Sequence, residues 1–178
     1  PAPAPAQVML LDPWDAPATL KRIWCLWEVL NTQQAGARFE VAMSDAQASR
    51  FVDVLTNDYN SIATATSRVD VRSATAFHAE DTVTIMREVD KVGAGDVNQL
   101  VTSQLVAALA AQGRAALDRL PAEERGTSVL ITALSHLLMD KGDLDGAEPL
   151  LRETLQVKRE TRGDRHKDTL IAINNLGM

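Results

Sequence analysis

A single cysteine, Cys25, in 178 residues excludes an intramolecular disulfide and a cysteine-based metal cluster, and it favours a reducing compartment such as the cytoplasm. No apolar run approaches the ~20 residues that a membrane helix needs, so membrane insertion is not expected. Basic residues are in deficit: 18 Lys and Arg against 24 Asp and Glu give a net charge of -6. That leaves no basic stripe for a phosphate backbone, so nucleic acid is not expected as a partner. The three histidines, His78, His136 and His166, lie far apart without ligand spacing and read as cap, turn or surface residues, with no metal site. Neither a Gly-rich phosphate loop nor a nucleophile elbow occurs.

What the chain does have is core material. With 46% hydrophobic and 24% charged residues it can build one or two compact domains. PAPAPAQ, residues 1–7, reads as an extended Pro/Ala tether. The run Val8-Met-Leu-Leu11 reads as a buried strand stopped by Asp12 and Pro13. Residues 18–32 follow helical spacing, with Leu20, Ile23, Trp24, Trp27 and Leu30 on one face and Lys21, Cys25, Glu28 and Thr32 forming a narrow polar stripe. In ARFEVAM, residues 37–43, Phe39, Val41 and Met43 alternate with polar residues as in a half-buried strand. Ser44 and Gln47 form a capping-box pattern ahead of a helix carrying Ala48, Phe51, Val52 and Leu55. Val69-Asp-Val71 is a further strand candidate. Val83, Met86 and Val89 mark a helix ending at Gly93, and Asp96 with Gln99 opens the next, lined by Val97, Leu100, Val101, Leu105, Ala108 and Leu109. Strands alternating with helices imply an α/β layer with a largely parallel sheet over residues 8–112.

Composition changes near Gly113. Residues 113–125, rich in Ala, Arg and Glu and containing Pro121, read as a helical connector, and residues 126–178 read as wholly α-helical. Thr127, Val129, Ile131 and Leu134 recur as Thr169, Ile171, Ile173 and Leu176. Gly142-Asp-Leu-Asp-Gly-Ala147 turns into a second helix carrying Leu144, Ala147, Leu151 and Leu155. A helical hairpin recurring at this period belongs to the solenoid class.

The segment KGDLDGAEPLLRETLQVKRETRGDRHKDTLIAINNLG resembles the long tetratricopeptide repeats of kinesin light chains, with matches at Ile131, Ser135, Leu138, Gly142, Leu144, Ala147 and Leu151. It departs from that pattern at Thr154, where alanine is usual, and at Lys167, where proline is common. The resemblance implies one full hairpin plus the first helix of the next, with Asn174 and Asn175 facing a partner-binding groove and Thr132 and His136 as their neighbours one repeat earlier. Trp24-Cys-Leu-Trp-Glu28 is similar to the W-C-L-x-E-L helix of TIR domains, a flavodoxin-like fold, with Val29 replacing the final leucine. In TIR enzymes that cleave NAD the glutamate of this helix is catalytic, and Glu28 is the matching position. The similarity covers residues 8–112, the second half of such a domain, and does not include the early strands that line the nucleotide cleft.

Two functional expectations follow. The first is a non-enzymatic protein-interaction scaffold or subunit of a larger assembly, without cofactor, binding other protein chains through tetratricopeptide surfaces. Under it Trp24 and Trp27 fill core, Cys25 is a small buried hydrophobe, and Glu28 is a solvated or Lys21-paired edge. The alternative is a TIR-type hydrolase in which Glu28 is catalytic and NAD is the substrate.

Overall fold

The computed structural model describes residues 6–177, which form two compact units. The first comprises the described residues up to Val54 together with Asn60–Leu109; the second comprises Leu55–Tyr59 and the described residues from Ala110.

The first unit starts with β1 (Ala6–Leu10). The tether expected over residues 1–7 therefore lies outside the described residues for 1–5 and is corrected for Ala6 and Gln7. These pair with Arg38 and Phe39 through backbone groups, which need no apolar side chain. Residues Arg22 and Ile23 lead into α1 (Ile23–Gln34), which Gly36 ends at φ 63°. β2 (Arg38–Ala42) lies parallel to β1, with Met9 opposite Val41. Met9 and Leu11 face inward, where α1 covers the sheet, whereas Val8 and Leu10 are more than half exposed. The fully buried strand expected at 8–11 is thus half-buried, because within this unit α1 packs on one face of the pair.

The single helix expected over 18–32 is two elements. Ala18–Lys21 is a 3-10 turn, and Arg22 interrupts it with extended backbone at φ -100°, ψ 117°. The reason is a backbone bridge: Thr75 N–H donates to the Lys21 carbonyl at 3.0 Å, and Ile23 N–H donates to the Thr75 carbonyl at 3.1 Å. The buried face of α1 is Ile23, Leu26, Val29 and Leu30. Trp24 is exposed and Trp27 half-buried, so the tryptophans do not fill core as expected.

α2 (Asp45–Asn57) is started by Ser44, whose hydroxyl accepts from Gln47 N–H at 3.3 Å. The Gln47 side chain is used elsewhere, accepting from Trp14 N–H at 3.0 Å. Phe51 is fully enclosed and meets the buried Trp14 edge to face, centroids 5.2 Å apart. In α3 (Tyr59–Thr66), Ile62 and Ala65 point inward. The strand expected at 69–71 is instead a 3-10 turn, Val71–Ser73, because the Asp70 carboxylate accepts from Arg72 N–H at 3.0 Å and bends the chain. α4 (Ala79–Val92) buries Ile85 and Val89, while Val83 is exposed, which shifts its core face from the expected one. Gly93, at φ 105°, ends α4 and leads into α5 (Ala94–Leu117). Val97, Val101, Leu105, Ala108 and Leu109 are buried as the spacing predicts; Leu100 is half-buried. α5 contributes to both units and continues through the buried Gly113.

The second unit adds α6 (Ala122–Arg125), α7 (Val129–Asp140), α8 (Leu144–Arg162) and α9 (Lys167–Leu176). Each of the last three begins with a side-chain cap. Ser128 accepts from Leu130 N–H at 3.1 Å, Asp143 from Gly146 N–H at 3.0 Å, and His166 Nδ1 from Asp168 N–H at 3.2 Å. Gly142 and Gly163, both at positive φ, supply the turns. α8 packs against both α7 and α9, around Ile131, Leu134, Leu138, Leu150 and Leu155. Buried Ser135 donates to the Ile131 carbonyl at 2.7 Å. At the α6–α7 joint a Cβ on buried Gly126 would lie 2.5 Å from Val157 Cγ2. Arg125 pairs with Asp118 at 2.6 Å and Glu153 at 2.9 Å.

Of the repeated positions only Val129 and Ile171 share an environment, both being exposed. Ile131 and Leu134 are fully buried, whereas Ile173 is exposed and Leu176 half-buried; Val129 opens α7, but Ile171 lies midway along α9. Leu144, expected to face inward, is exposed at the start of α8.

Thr154 is buried, and its hydroxyl has no hydrogen-bond partner among the described residues. Thr154→Val keeps the shape and removes that unsatisfied group. It should stabilise the chain by about 1 kcal/mol, since an unpaired buried hydroxyl costs about that much or more. A calorimetric melting temperature that falls on this substitution would contradict the assignment.

Candidate functional site

Three places bring sequence-singled residues or open surface together. The first surrounds Glu28. The α1 register and the adjacent β1 place Gln7 beside it, and the Gln7 side-chain amide donates to Glu28 Oε2 at 3.3 Å. The Thr32 hydroxyl, one turn further along α1, donates to Gln7 Oε1 at 2.9 Å. Gln7 thus links both polar positions; of the two expectations for Glu28, a solvated edge or a Lys21 pair, its exposed side chain fits the first. Ala6, Gln7, Glu28, Asn31, Thr32 and Ala37 line a cleft of about 460 Å³. Glu28 is exposed there. A carboxylate can stabilise a developing sugar cation only when the substrate is held against it away from water.

Expected as a small buried hydrophobe, Cys25 is half-buried on the same helix. Burial pushes its thiol up, with Arg22 opposing and Glu28 adding to the shift, which disfavours the thiolate. No group of three or more His, Cys, Asp or Glu residues that could hold a metal ion occurs among the described residues.

The second place is on the helices of the second unit. Met139 of α7, Leu144, Asp145, Ala147, Glu148 and Leu151 of α8, and Asn175 and Leu176 of α9 line a cleft of about 150 Å³. Of the four groove candidates only Asn175 is in this lining. Asn174 is exposed beside it, His136 is exposed on α7, and Thr132 is half-buried one turn before His136. The volume suits one side chain of a partner better than a free small molecule, for which several hundred Å³ is usual.

The third, which the sequence reading missed, lies where Thr75 bridges to the start of α1. Lys21, Arg22, Trp24, Thr75, Ala76, Phe77, His78 and Asp81 line about 500 Å³ there. The Trp24 indole N–H donates to Asp81 Oδ2 at 3.2 Å across 57 positions of sequence. Nothing local could have foretold that pairing, although an indole on a helix edge needs an acceptor.

Tyr59, the one tyrosine of the chain, lies in no motif and gives no sequence signal. Its hydroxyl donates to Asp140 Oδ2 at 2.5 Å. Burial, and then the Asp140 hydrogen bond and charge, hold the phenol well above its usual range. A raised value means that folding favours the protonated form. Its contribution is complete below the unfolded pKa of about 10 and is lost as pH rises towards the folded one. An ultraviolet titration should therefore show no phenolate in the folded chain just above pH ~10 and ready ionisation there once it is unfolded in urea. Equal titration curves for the two states would disprove the contact.

No protein-family model matches the chain, and it shows no match to a curated protein or to a solved structure. No helix among the described residues is long and apolar enough to cross a membrane.

Proposed function

We propose that the chain is a protein-interaction scaffold, or a subunit of a larger assembly, of the tetratricopeptide kind, meeting partner polypeptide through the helices of its second unit. The observation that carries this reading is the distribution of apolar residues on α9. Its buried positions are Thr169 and Ala172, while Leu170, Ile171 and Ile173 are 54%, 46% and 40% exposed. Covering the half of each side chain still in solvent removes apolar area from water, at most about half of the ~1.5–3 kcal/mol that full burial is worth, before the costs of association. Asn174 and Asn175 stand beside them as hydrogen-bonding groups, and the small buried residues Ser135 and Ala147 support a close hairpin.

The test compares the chain with its Leu170→Ser/Ile173→Ser variant, each tagged and recovered from the cells that make it, by quantitative mass spectrometry. Proteins retained by the parent and lost by the variant are expected. The same set retained equally by both would reject the reading.

A second reading, a hydrolase that cleaves NAD with Glu28, draws support from the Gln7 amide on that carboxylate, itself held by the Thr32 hydroxyl. Nicotinamide release by the parent chain, abolished in Glu28→Ala, would establish it; no release from the folded parent chain would dismiss it.

A further inference from the structure

We infer that the cleft at the start of α1, whose lining belongs wholly to the first unit, docks an acidic peptide segment carrying a large apolar side chain. Phe77 is 98% exposed, and the His78 ring meets it edge-on at 4.9 Å. Trp24 is 41% exposed in the same lining. Exposed aromatics beside arginine are the residue types on which protein interfaces concentrate their binding energy.

Charge selects the partner. Lys21 and Arg22 are exposed, have no ion-pair partner among the described residues, and outnumber the one acid in the lining, Asp81, which keeps its charge while accepting from the Trp24 indole. Glu80, next in sequence, is outside the lining. The cleft is thus locally positive in a chain of net charge -6. The rest of the molecule repels acidic segments, and this place admits them.

The backbone makes the surface firm. Thr75 is tied to Lys21 and Ile23 by the two bridge hydrogen bonds, and Ala76 N–H donates to the Thr82 hydroxyl at 2.9 Å. Phe77 therefore projects from an anchored strip. A small anionic molecule fits this layout less well, because sites for such ligands enclose their aromatic side chains, whereas this ring stands clear of the wall.

The experiment pans a randomised peptide library on the purified full chain, then measures the enriched peptides by fluorescence anisotropy against the parent, Lys21→Glu/Arg22→Glu and Phe77→Ser. The charged side chains and the ring are exposed, so both variants should fold, which circular dichroism verifies. Enriched sequences are expected to join Asp or Glu to Phe, Leu or Trp. Their binding should weaken with salt, by about tenfold or more on charge reversal and by about fivefold or more in Phe77→Ser. Neutral or basic consensus sequences, unchanged affinity in either variant, no enrichment, or binding of AMP in place of peptides would each overturn the inference. Leu170→Ser/Ile173→Ser is expected to bind these peptides as the parent does, which separates this surface from the proposed scaffold face.

Discussion

Phe51→Ala is expected to cost about 3–5 kcal/mol, the range for emptying an aromatic site in a packed core. Phe51 is completely shielded, and its ring is held edge to face against Trp14, which is itself buried. Losing the ring forfeits its transfer free energy, leaves a cavity, and removes an aromatic pair worth about 0.5–1.5 kcal/mol beyond area. Trp14 cannot readily follow the lost ring, because its backbone N–H is bonded to the Gln47 side chain and the neighbouring Asp15 is paired with Arg50 at 2.7 Å. Against a typical total of about 5–15 kcal/mol, that loss takes much of the margin. Urea titration followed by tryptophan fluorescence should show a markedly lower midpoint at similar slope. A change below about 1 kcal/mol would mean that the site collapses freely or is not packed as described.

The second large effect belongs to Leu134→Ala, with an expected loss of about 2–5 kcal/mol. Leu134 is completely buried on α7, between the also buried Ala133 and Ser135. Leu170→Ala is the natural control: the side chain lies largely in solvent on α9, so its truncation should stay within about 0.5 kcal/mol. Comparable losses at the two sites in thermal melts would refute the division of α7 and α9 into inward and outward residues.

That division marks where sequence reading works and where it stops. The helical hairpin was legible because its punctuation is local: Gly142 at positive φ, Asp143 capping α8, and the Ile131, Leu134 and Leu138 spacing all act within a few residues. The parallel course of β1 and β2 was legible because a helix runs between the two strands, but the inward and outward sides of β1 were not, since residues 8–11 are apolar throughout. What escaped was set by distant partners. Arg22 is extended because Thr75 reaches back to it, and Trp24 lies off the face that Ile23, Leu26 and Leu30 bury, where its indole meets Asp81. The Val69–Val71 strand failed because a side chain, Asp70, competes for the backbone more strongly than two alternating valines direct it.

The candidate sites divide in the same way. Glu28 stood out by its motif, but its partner Gln7 sits in a stretch read as tether, and β1 had to be seen before the contact could be. Asn175 reaches a cleft while Asn174, its identical neighbour, does not, because adjacent helical positions point about 100° apart. Phe77 drew no notice, lying in no periodic run, although its exposure makes it the most accessible aromatic surface of the first unit.

The bare backbone at Gly126 couples two positions far apart in sequence. A methyl there would lie 2.5 Å from Val157 Cγ2, so any larger residue at 126 makes the half-buried Val157 turn or shift, and a smaller residue at 157 would relieve that demand.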